Sequence, residues 1–142
     1  MIVEGVAYDV ITEPAAVERH VRAMADEEWD PEDFEKFGED LRGQRWTLER
    51  VLVADVRPQQ ALLDSPVFRA DVGPRIATQR RLRAEGVPIP PLVLRGRDKL
   101  ILDGYARWHL FRELGVRACL AYVGRPLRVE RAARRPHGVT AG

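Results

Sequence analysis

The chain has 142 residues, of which 45% are apolar and 32% charged, and a net charge of +1. This length predicts one domain, and this composition excludes disordered and collagen-like chains. No run of 18 apolar residues occurs, so no transmembrane helix is predicted, and the N-terminus lacks a secretory pattern. A single cysteine, Cys119, excludes a disulfide framework and a multi-cysteine zinc site. We therefore expect a cytoplasmic protein.

The near-zero net charge hides a strong asymmetry along the chain. Residues 1–50 contain 6 basic and 14 acidic side chains, whereas residues 51–142 contain 17 basic and 8 acidic ones. These halves carry net charges of −8 and +9. Three interpretations stay open: the acidic part folds over the basic part, the basic part faces an anion, or both are solvated surfaces.

Two amphipathic helices are predicted first. Apolar residues recur at helical spacing over residues 14–28. A second helix is expected to begin with Asp30 as its cap and Pro31 in its first turn, and to stop at Gly43. We assign residues 1–45 to a helical N-terminal extension. The sequence leaves open whether this extension forms a lid, a homodimer interface or a cover for a sheet.

The rest of the chain alternates between strands and helices, which predicts a small mixed α/β fold. An arginine-rich tail, residues 124–142, is expected to be mobile. The other predicted elements are a strand over 46–56, an irregular segment over 57–72, a basic helix over 74–85, a hairpin of strands over 92–94 and 100–102, a helix over 105–114 and a buried strand over 118–123.

One segment has a pattern typical of anion binding. A strand ending at Asp103 passes through Gly104 directly into a helix. The first N–H groups of a helix lack partners within it, and the helix dipole adds positive potential there. Gly104 permits close approach to the backbone, and Arg107 can bind an anion through its planar fork. Residues 104–107 are therefore a predicted phosphate cradle, and Asp103 is a candidate for binding Mg²⁺ or orienting a hydroxyl.

The same pattern also fits an ordinary turn between a strand and a helix. In that interpretation Asp103 caps the helix and Arg107 pairs with a surface carboxylate. Trp29, Trp46 and Trp108 could each stack on a base, and Trp108 is the best placed of the three, although core packing is the default for this residue type. The candidate nucleotide-binding residues are Gly104, Tyr105, Ala106, Arg107 and Trp108.

The wider context resembles the ParB/sulfiredoxin-like superfamily. Residues 89–124, IPPLVLRGRDKLILDGYARWHLFRELGVRACLAYVG, are similar to its Pro-rich entry, strand pair, Gly-x-x-Arg-type box, Leu-Gly helix end and final strand. Residues 48–58, LERVLVADVRP, look like its opening strand. The resemblance implies a ParB/sulfiredoxin-like α/β nucleotide-binding domain over residues 46–124. Residues 125–142 lie outside it and are assigned to the flexible basic tail that their composition predicts.

Two branches of this superfamily fit the sequence poorly. Sulfiredoxin has a nucleophilic cysteine at the position of Tyr105, whereas Cys119 lies in a strand predicted to be buried. Sulfiredoxin activity is therefore not expected. ParB partition proteins bind CTP through this domain and read DNA with a following helical domain, for which the tail predicted here is too short.

The free-serine kinases of the superfamily carry an Asp-Gly-His-His/Thr-Arg box. The present box is similar through Asp103, Gly104 and Arg107 but lacks the central histidine. Those kinases also have a catalytic glutamate soon after the opening strand, where this chain reads Arg-Pro-Gln-Gln. Asp64 and Asp71 are the candidate replacements.

The resemblance implies a domain that binds ATP, ADP or CTP with Mg²⁺. We expect phosphate transfer to a small hydroxyl-bearing molecule, with Asp103 as catalytic residue and metal ligand. The alternative is a nucleotide-gated regulatory module that binds DNA or a partner protein. The basic helix favours this alternative through Arg75, Arg80, Arg81 and Arg83. No membrane partner is expected.

Overall fold

The computed structural model describes residues 1–127, so most of the predicted basic tail lies outside the described residues. The described chain forms β1 (Ile2–Val3), β2 (Val6–Ala7), α1 (Pro14–Glu28), α2 (Pro31–Leu41), β3 (Gln44–Leu52), α3 (Gln60–Leu63), α4 (Pro66–Ala84), β4 (Leu92–Arg95), β5 (Ile101–Asp103), α5 (Tyr105–Leu114) and β6 (Ala118–Pro126).

The centre of the fold is a four-stranded sheet with the order β3-β6-β4-β5. Strand β6 runs antiparallel to β3 and parallel to β4, and β4 and β5 form an antiparallel hairpin. All six residues at 118–123 are buried, as expected for a strand covered on both faces. The predicted mixed α/β sheet is confirmed. Within the described residues, no helix is both long and apolar enough to cross a membrane.

Two apolar layers enclose this sheet. On one face, Phe111 of α5 and Tyr8, which follows β2, join the core of strand side chains. On the other face, Val17 and Val21 of α1 pack with Tyr122 of β6. The N-terminal helices therefore cover one face of the sheet, which is one of the three roles that the sequence left open.

Several predicted elements have the expected bounds. Helix α1 spans residues 14–28, and α5 runs from Tyr105 to the residue before Gly115. At the start of α2 the amide of Asp33 donates to the Asp30 carboxylate at 2.9 Å, and the amide of Asp30 donates back to Asp33 at 3.2 Å. This reciprocal cap fixes the beginning of the helix, as the sequence indicates.

Helix α4 is longer than predicted because Pro74 is not its first residue. The helix begins after Ser65, whose hydroxyl accepts from the amide of Phe68 at 3.2 Å, and Pro66 occupies the first turn. Pro74 lies inside the helix and is exposed. A proline costs an interior helix one hydrogen bond. Packing of α4 along α5 offsets that cost, so tertiary contacts override the local signal.

The first eight residues form a hairpin that the sequence analysis missed. Strands β1 and β2 are two residues each, too short to produce a recognisable alternation. Between them Glu4 has a φ of +49°. Its carboxylate accepts hydrogen bonds from the amides of Arg117 at 3.0 Å and Ala118 at 2.6 Å, at the start of β6. The hairpin is thus fixed to the central strand by one side chain.

Strand β3 ends at Leu52, earlier than the predicted residue 56.

These two hydrogen bonds lower the pKa of the Glu4 carboxyl below its ordinary value of 4.5. A carboxyl whose pKa is lower in the folded state stabilises the fold fully at pH values above its ordinary, unfolded-state pKa, and this contribution is lost as the pH falls through the lowered pKa. Glu4→Gln should therefore lower the free energy of unfolding at pH 7, and its difference from the wild type should shrink at pH 3. Urea unfolding at both pH values tests this, with the exposed Glu85→Gln as control. A difference that is constant with pH would contradict it.

Candidate functional site

A cleft of about 680 Å³ opens where β5 ends and α5 begins. Its floor consists of residues 102–107. Helix α1 and the start of α2 form one wall, and α3 and α4 form the other. This volume is within the range of small-molecule sites, about 300–1,000 Å³. Asp103, Gly104, Tyr105, Ala106 and Arg107, all predicted from the sequence, line this one cavity.

Gly104 is required at the floor for two reasons. Its φ of +114° lies in the region that residues with a side chain rarely adopt. A Cβ atom there would lie 2.5 Å from Cδ2 of Leu92 and 2.9 Å from Nη2 of Arg107. The backbone therefore passes directly over the Arg107 guanidinium, and any side chain would displace it.

The N-terminal end of α5 supplies backbone donors to the floor. The first intrahelical bond runs from the amide of Trp108 to the carbonyl of Gly104 at 2.9 Å. Within residues 1–127, the amides of Tyr105, Ala106 and Arg107 have no protein acceptor. Three N–H groups and the positive end of the helix dipole thus meet at the cleft, an arrangement that favours an anion.

Arg107 lies beneath this end of the helix rather than in solvent. Its Nη2 donates to Oδ2 of Asp103 at 3.1 Å and to the carbonyl of Pro91 at 3.3 Å, and its side chain is 12% exposed. Its Nε is buried and has no partner in the described chain. Asp103 therefore does not cap α5, because Gly104 occupies the cap position and the carboxylate is paired with Arg107.

Tyr105 links the floor to one wall. Its hydroxyl accepts from the amide of Gln59 at 2.9 Å, and its ring meets Phe68 edge to face at 5.0 Å between centroids. Burial raises the pKa of this hydroxyl, so it stays neutral at physiological pH. The tyrosine thus positions the beginnings of α3 and α4 against α5.

Trp108 does not reach the cleft, so the predicted stacking role has no support in this geometry. It is 4% exposed and packs in the core beneath the sheet. The Arg112 guanidinium lies 4.8 Å from its ring centroid. Trp46 is also buried, at 2% exposure. The tryptophan that does border the cleft is the partly buried Trp29.

The charge around the cleft is mainly negative. Arg75 lies between the walls, 3.6 Å from a carboxylate oxygen of Glu28 in α1 and 3.4 Å from one of Asp71 in its own helix. Of the four arginines predicted on the basic helix, Arg75 lines the cleft, whereas Arg80 pairs with Glu113 of α5. The acidic lining residues are Glu27, Glu28, Asp33, Asp71 and Asp103.

Several lining residues were missed because they become neighbours only in the folded chain. His20 lies in α1, outside the family resemblance, and Gln59 follows the opening strand. Trp29, a stacking candidate that the sequence ranks below Trp108, lines the cleft in place of Trp108. On α4 the lining positions 71, 72, 75, 78 and 79 repeat at helical spacing. This repeat could have been found from the sequence, but residues 66–72 were predicted to be irregular rather than helical. Asp71 borders the cleft, whereas Asp64 is not among the lining residues.

Thiol chemistry and a protein-held metal both fit this site poorly. Cys119 is completely buried, and burial raises its pKa to about 12, so a thiolate nucleophile is disfavoured. Residues 1–127 contain no group of three or more His, Cys, Asp or Glu side chains able to hold a metal ion. Mg²⁺ commonly binds through one or two carboxylates plus substrate phosphates. The residues would therefore fit a Mg²⁺ ion only if a phosphate ligand carried it in, and Asp103 is the carboxylate that the floor contributes.

The solved structures to which this chain is similar include two of a pNOB8-like ParB N-domain. The first is 21% identical, covering 57% of this chain and 30% of its own, with a TM-score of 0.41. The second is 25% identical, covering 56% and 28%, with a TM-score of 0.38. The chain is similar to ParB N-terminal domains. It spans less than a third of the length of the ParB chains it matches. No protein-family model and no curated protein matches the chain.

Gly104→Ala should destabilise the chain more than Gly115→Ala, which changes the other end of the same helix. Both positions have positive φ, but a Cβ at Gly115 meets nothing within 4 Å. Left-handed strain costs about 1–3 kcal/mol at such positions. The alanine at 104 adds the clash with Leu92 and Arg107. Urea unfolding of both variants measures the difference, and equal losses would show that Gly104 is needed for its φ alone.

Proposed function

We propose that the cleft binds a nucleoside phosphate, with its phosphates at the N-terminal end of α5. The observation that carries this proposal is that residues 105–107, whose amides have no acceptor in the described chain, line the floor of a cavity large enough for such a ligand. Gly104 supports it by leaving the backbone accessible. The ParB-type resemblance of the sequence implies the same ligand class.

The acidic walls indicate that the ligand enters with a divalent cation. Five carboxylates and two arginines line the cleft, so its lining is negative on balance and disfavours a bare polyphosphate. Asp103, whose side chain is 28% exposed, would hold a phosphate-bound Mg²⁺, and that ion would supply charge that offsets the repulsion. Nucleotide affinity should therefore be higher with Mg²⁺ than without it.

For catalysis, we propose transfer of the terminal phosphoryl group to a small hydroxyl-bearing molecule. The bond from the terminal phosphorus to the bridging oxygen breaks, and a bond to the acceptor oxygen forms. The acceptor hydroxyl loses its proton, for which Asp103 is the nearby base, and the nucleotide leaves one phosphate shorter. This chemistry depends mostly on positioning and charge neutralisation, which the α5 amides and the Arg107 guanidinium supply.

A second candidate function, a nucleotide-gated binding module without turnover, is favoured by one observation. The Asp103 carboxylate is already paired with Arg107 at 3.1 Å, as in a structural ion pair. On the basic helix, Arg75 and Arg80 have carboxylate partners that a DNA phosphate would have to displace. DNA binding through phosphates would weaken steeply between low and moderate salt, which a titration at two salt concentrations measures.

Calorimetric titration with ATP, ADP, CTP and GTP, with and without Mg²⁺, tests the site. We expect at least one nucleotide to bind, and to bind more tightly with Mg²⁺. The absence of binding to all four would overturn the proposal. A phosphorylated acceptor then supports the phosphotransferase, whereas nucleotide binding without any phosphorylated acceptor supports the binding module.

Asp103→Asn should still bind nucleotide at the α5 amides but lose the gain from Mg²⁺, and it should abolish turnover, because the amide neither ligates the cation strongly nor accepts the proton. Since Arg107 also loses its charged partner, the free energy of unfolding of this variant is measured alongside. Asp71→Asn, on the cleft wall, tests the other candidate carboxylate, and Asp64→Asn outside the cleft is the matched control. Phosphoryl transfer is measured for all three. If Asp103→Asn turns over at the wild-type rate, Asp103 is not the catalytic base, and its role is the structural ion pair with Arg107.

A further inference from the structure

The wall formed by the N-terminal helices contains one aromatic ring well placed for a ligand. Trp29 lies at the junction of α1 and α2 and borders the cleft, whereas the other two tryptophans are buried. Its exposure is intermediate, so part of the ring is accessible. This residue lies outside the segment that resembles the ParB/sulfiredoxin-like superfamily, so the resemblance assigns it no role.

The orientation of Trp29 is fixed before any ligand arrives. Its backbone amide donates to the carbonyl of Ala25 at 2.9 Å, and the next residue, Asp30, is the cap of α2. Its indole Nε1 donates to the carbonyl of Leu102 at 3.4 Å. A ring held in this way loses little conformational entropy when it binds a ligand.

No aromatic ring among the described residues is stacked flat on this indole. Phe34 meets it at an interplanar angle of 73° and Phe37 at 56°. Planar bases stack on aromatic side chains, and this interaction tolerates any base because each has a π-face.

The indole is also close to the phosphate cradle. It contacts the carbonyl of Leu102, and the chain from there to the amide of Tyr105 spans at most about 11 Å. A sugar between a base on Trp29 and phosphates on α5 fits this separation.

Resting on the proposed function, we infer that Trp29 is the base-stacking residue of the cleft and makes it selective for ligands that carry an aromatic base. The N-terminal helices then contribute directly to ligand binding, besides covering the sheet. Inorganic tripolyphosphate, which has the phosphates and no base, should bind more weakly than ATP or CTP.

The test compares ATP, CTP and inorganic tripolyphosphate, each with Mg²⁺, on the wild type, Trp29→Leu and Phe34→Leu. Phe34 is a matched control because it touches Trp29 but lines a separate groove between α1 and α2. Loss of a stacked base weakens binding by roughly 5- to 150-fold. We expect that loss for the nucleotides in Trp29→Leu only, with tripolyphosphate affinity unchanged.

Trp29→Phe gives a second measurement with a conservative variant, which keeps an aromatic ring at this position. Nucleotide binding should quench the tryptophan emission of the wild type, and tripolyphosphate should not. In Trp29→Phe the quenching should disappear while nucleotide affinity stays within a few-fold of the wild type, because a ring remains.

The outcomes separate this inference from the proposed function. Nucleotide and tripolyphosphate binding of equal strength, or an equal loss of both in Trp29→Leu, would overturn the role of Trp29 and leave the phosphate site standing. Unchanged nucleotide affinity in Trp29→Leu would also overturn it. If no phosphate compound binds the wild type, both the inference and the proposed function fail.

Discussion

The Arg107 guanidinium joins the three segments on which the cleft depends. It binds the carboxylate at the end of β5 and the carbonyl of Pro91 before β4, and it belongs to the first turn of α5. Because it is mostly buried, its charge must be compensated, and Asp103 provides that compensation. This arrangement requires a glycine at position 104, because there is no room for a side chain above the guanidinium. The ion pair thus has a structural role whatever ligand binds above it, and it places positive charge at the floor.

The two walls are attached to that floor by different means. The Tyr105 hydroxyl and Phe68 fix α3 and α4 from below. The other wall is held by a partly buried network in which Arg95 of β4 bonds Asp40 of α2 at 3.3 Å and Asp98 at 2.7 Å. Arg95 also lowers the pKa of Asp98. Across the top, the pair between Arg75 and Glu28 is exposed and therefore weak. The walls are firmly placed on the sheet but only loosely joined to each other, which suits a cleft that admits a ligand.

Local signals predicted the elements whose ends depend on neighbouring residues. The cap at Asp30, the glycine after α5 and the apolar run of β6 each act within a few residues, so the sequence sufficed for them. The start of α4 was predicted wrongly, because Pro66 follows the capping Ser65 and begins the helix, whereas Pro74 lies inside it. The β1–β2 hairpin was missed because Glu4 binds amides more than a hundred residues away. The functions of the candidate residues remain predictions, although five of the six line one cavity.

By itself, the sequence determined the mixed α/β class and the position of the strand-glycine-helix turn. Both follow from hydrophobic periodicity and from the conformational freedom of one glycine. Which residues lie around that turn depends on the tertiary structure alone. In the folded chain Trp108 is buried in the core, and Asp103 is paired with Arg107. Trp29 and Gln59 line the cleft. The physical reason is that a cavity is formed by residues distant in sequence, whose proximity depends on how helices pack over the sheet and not on any local pattern.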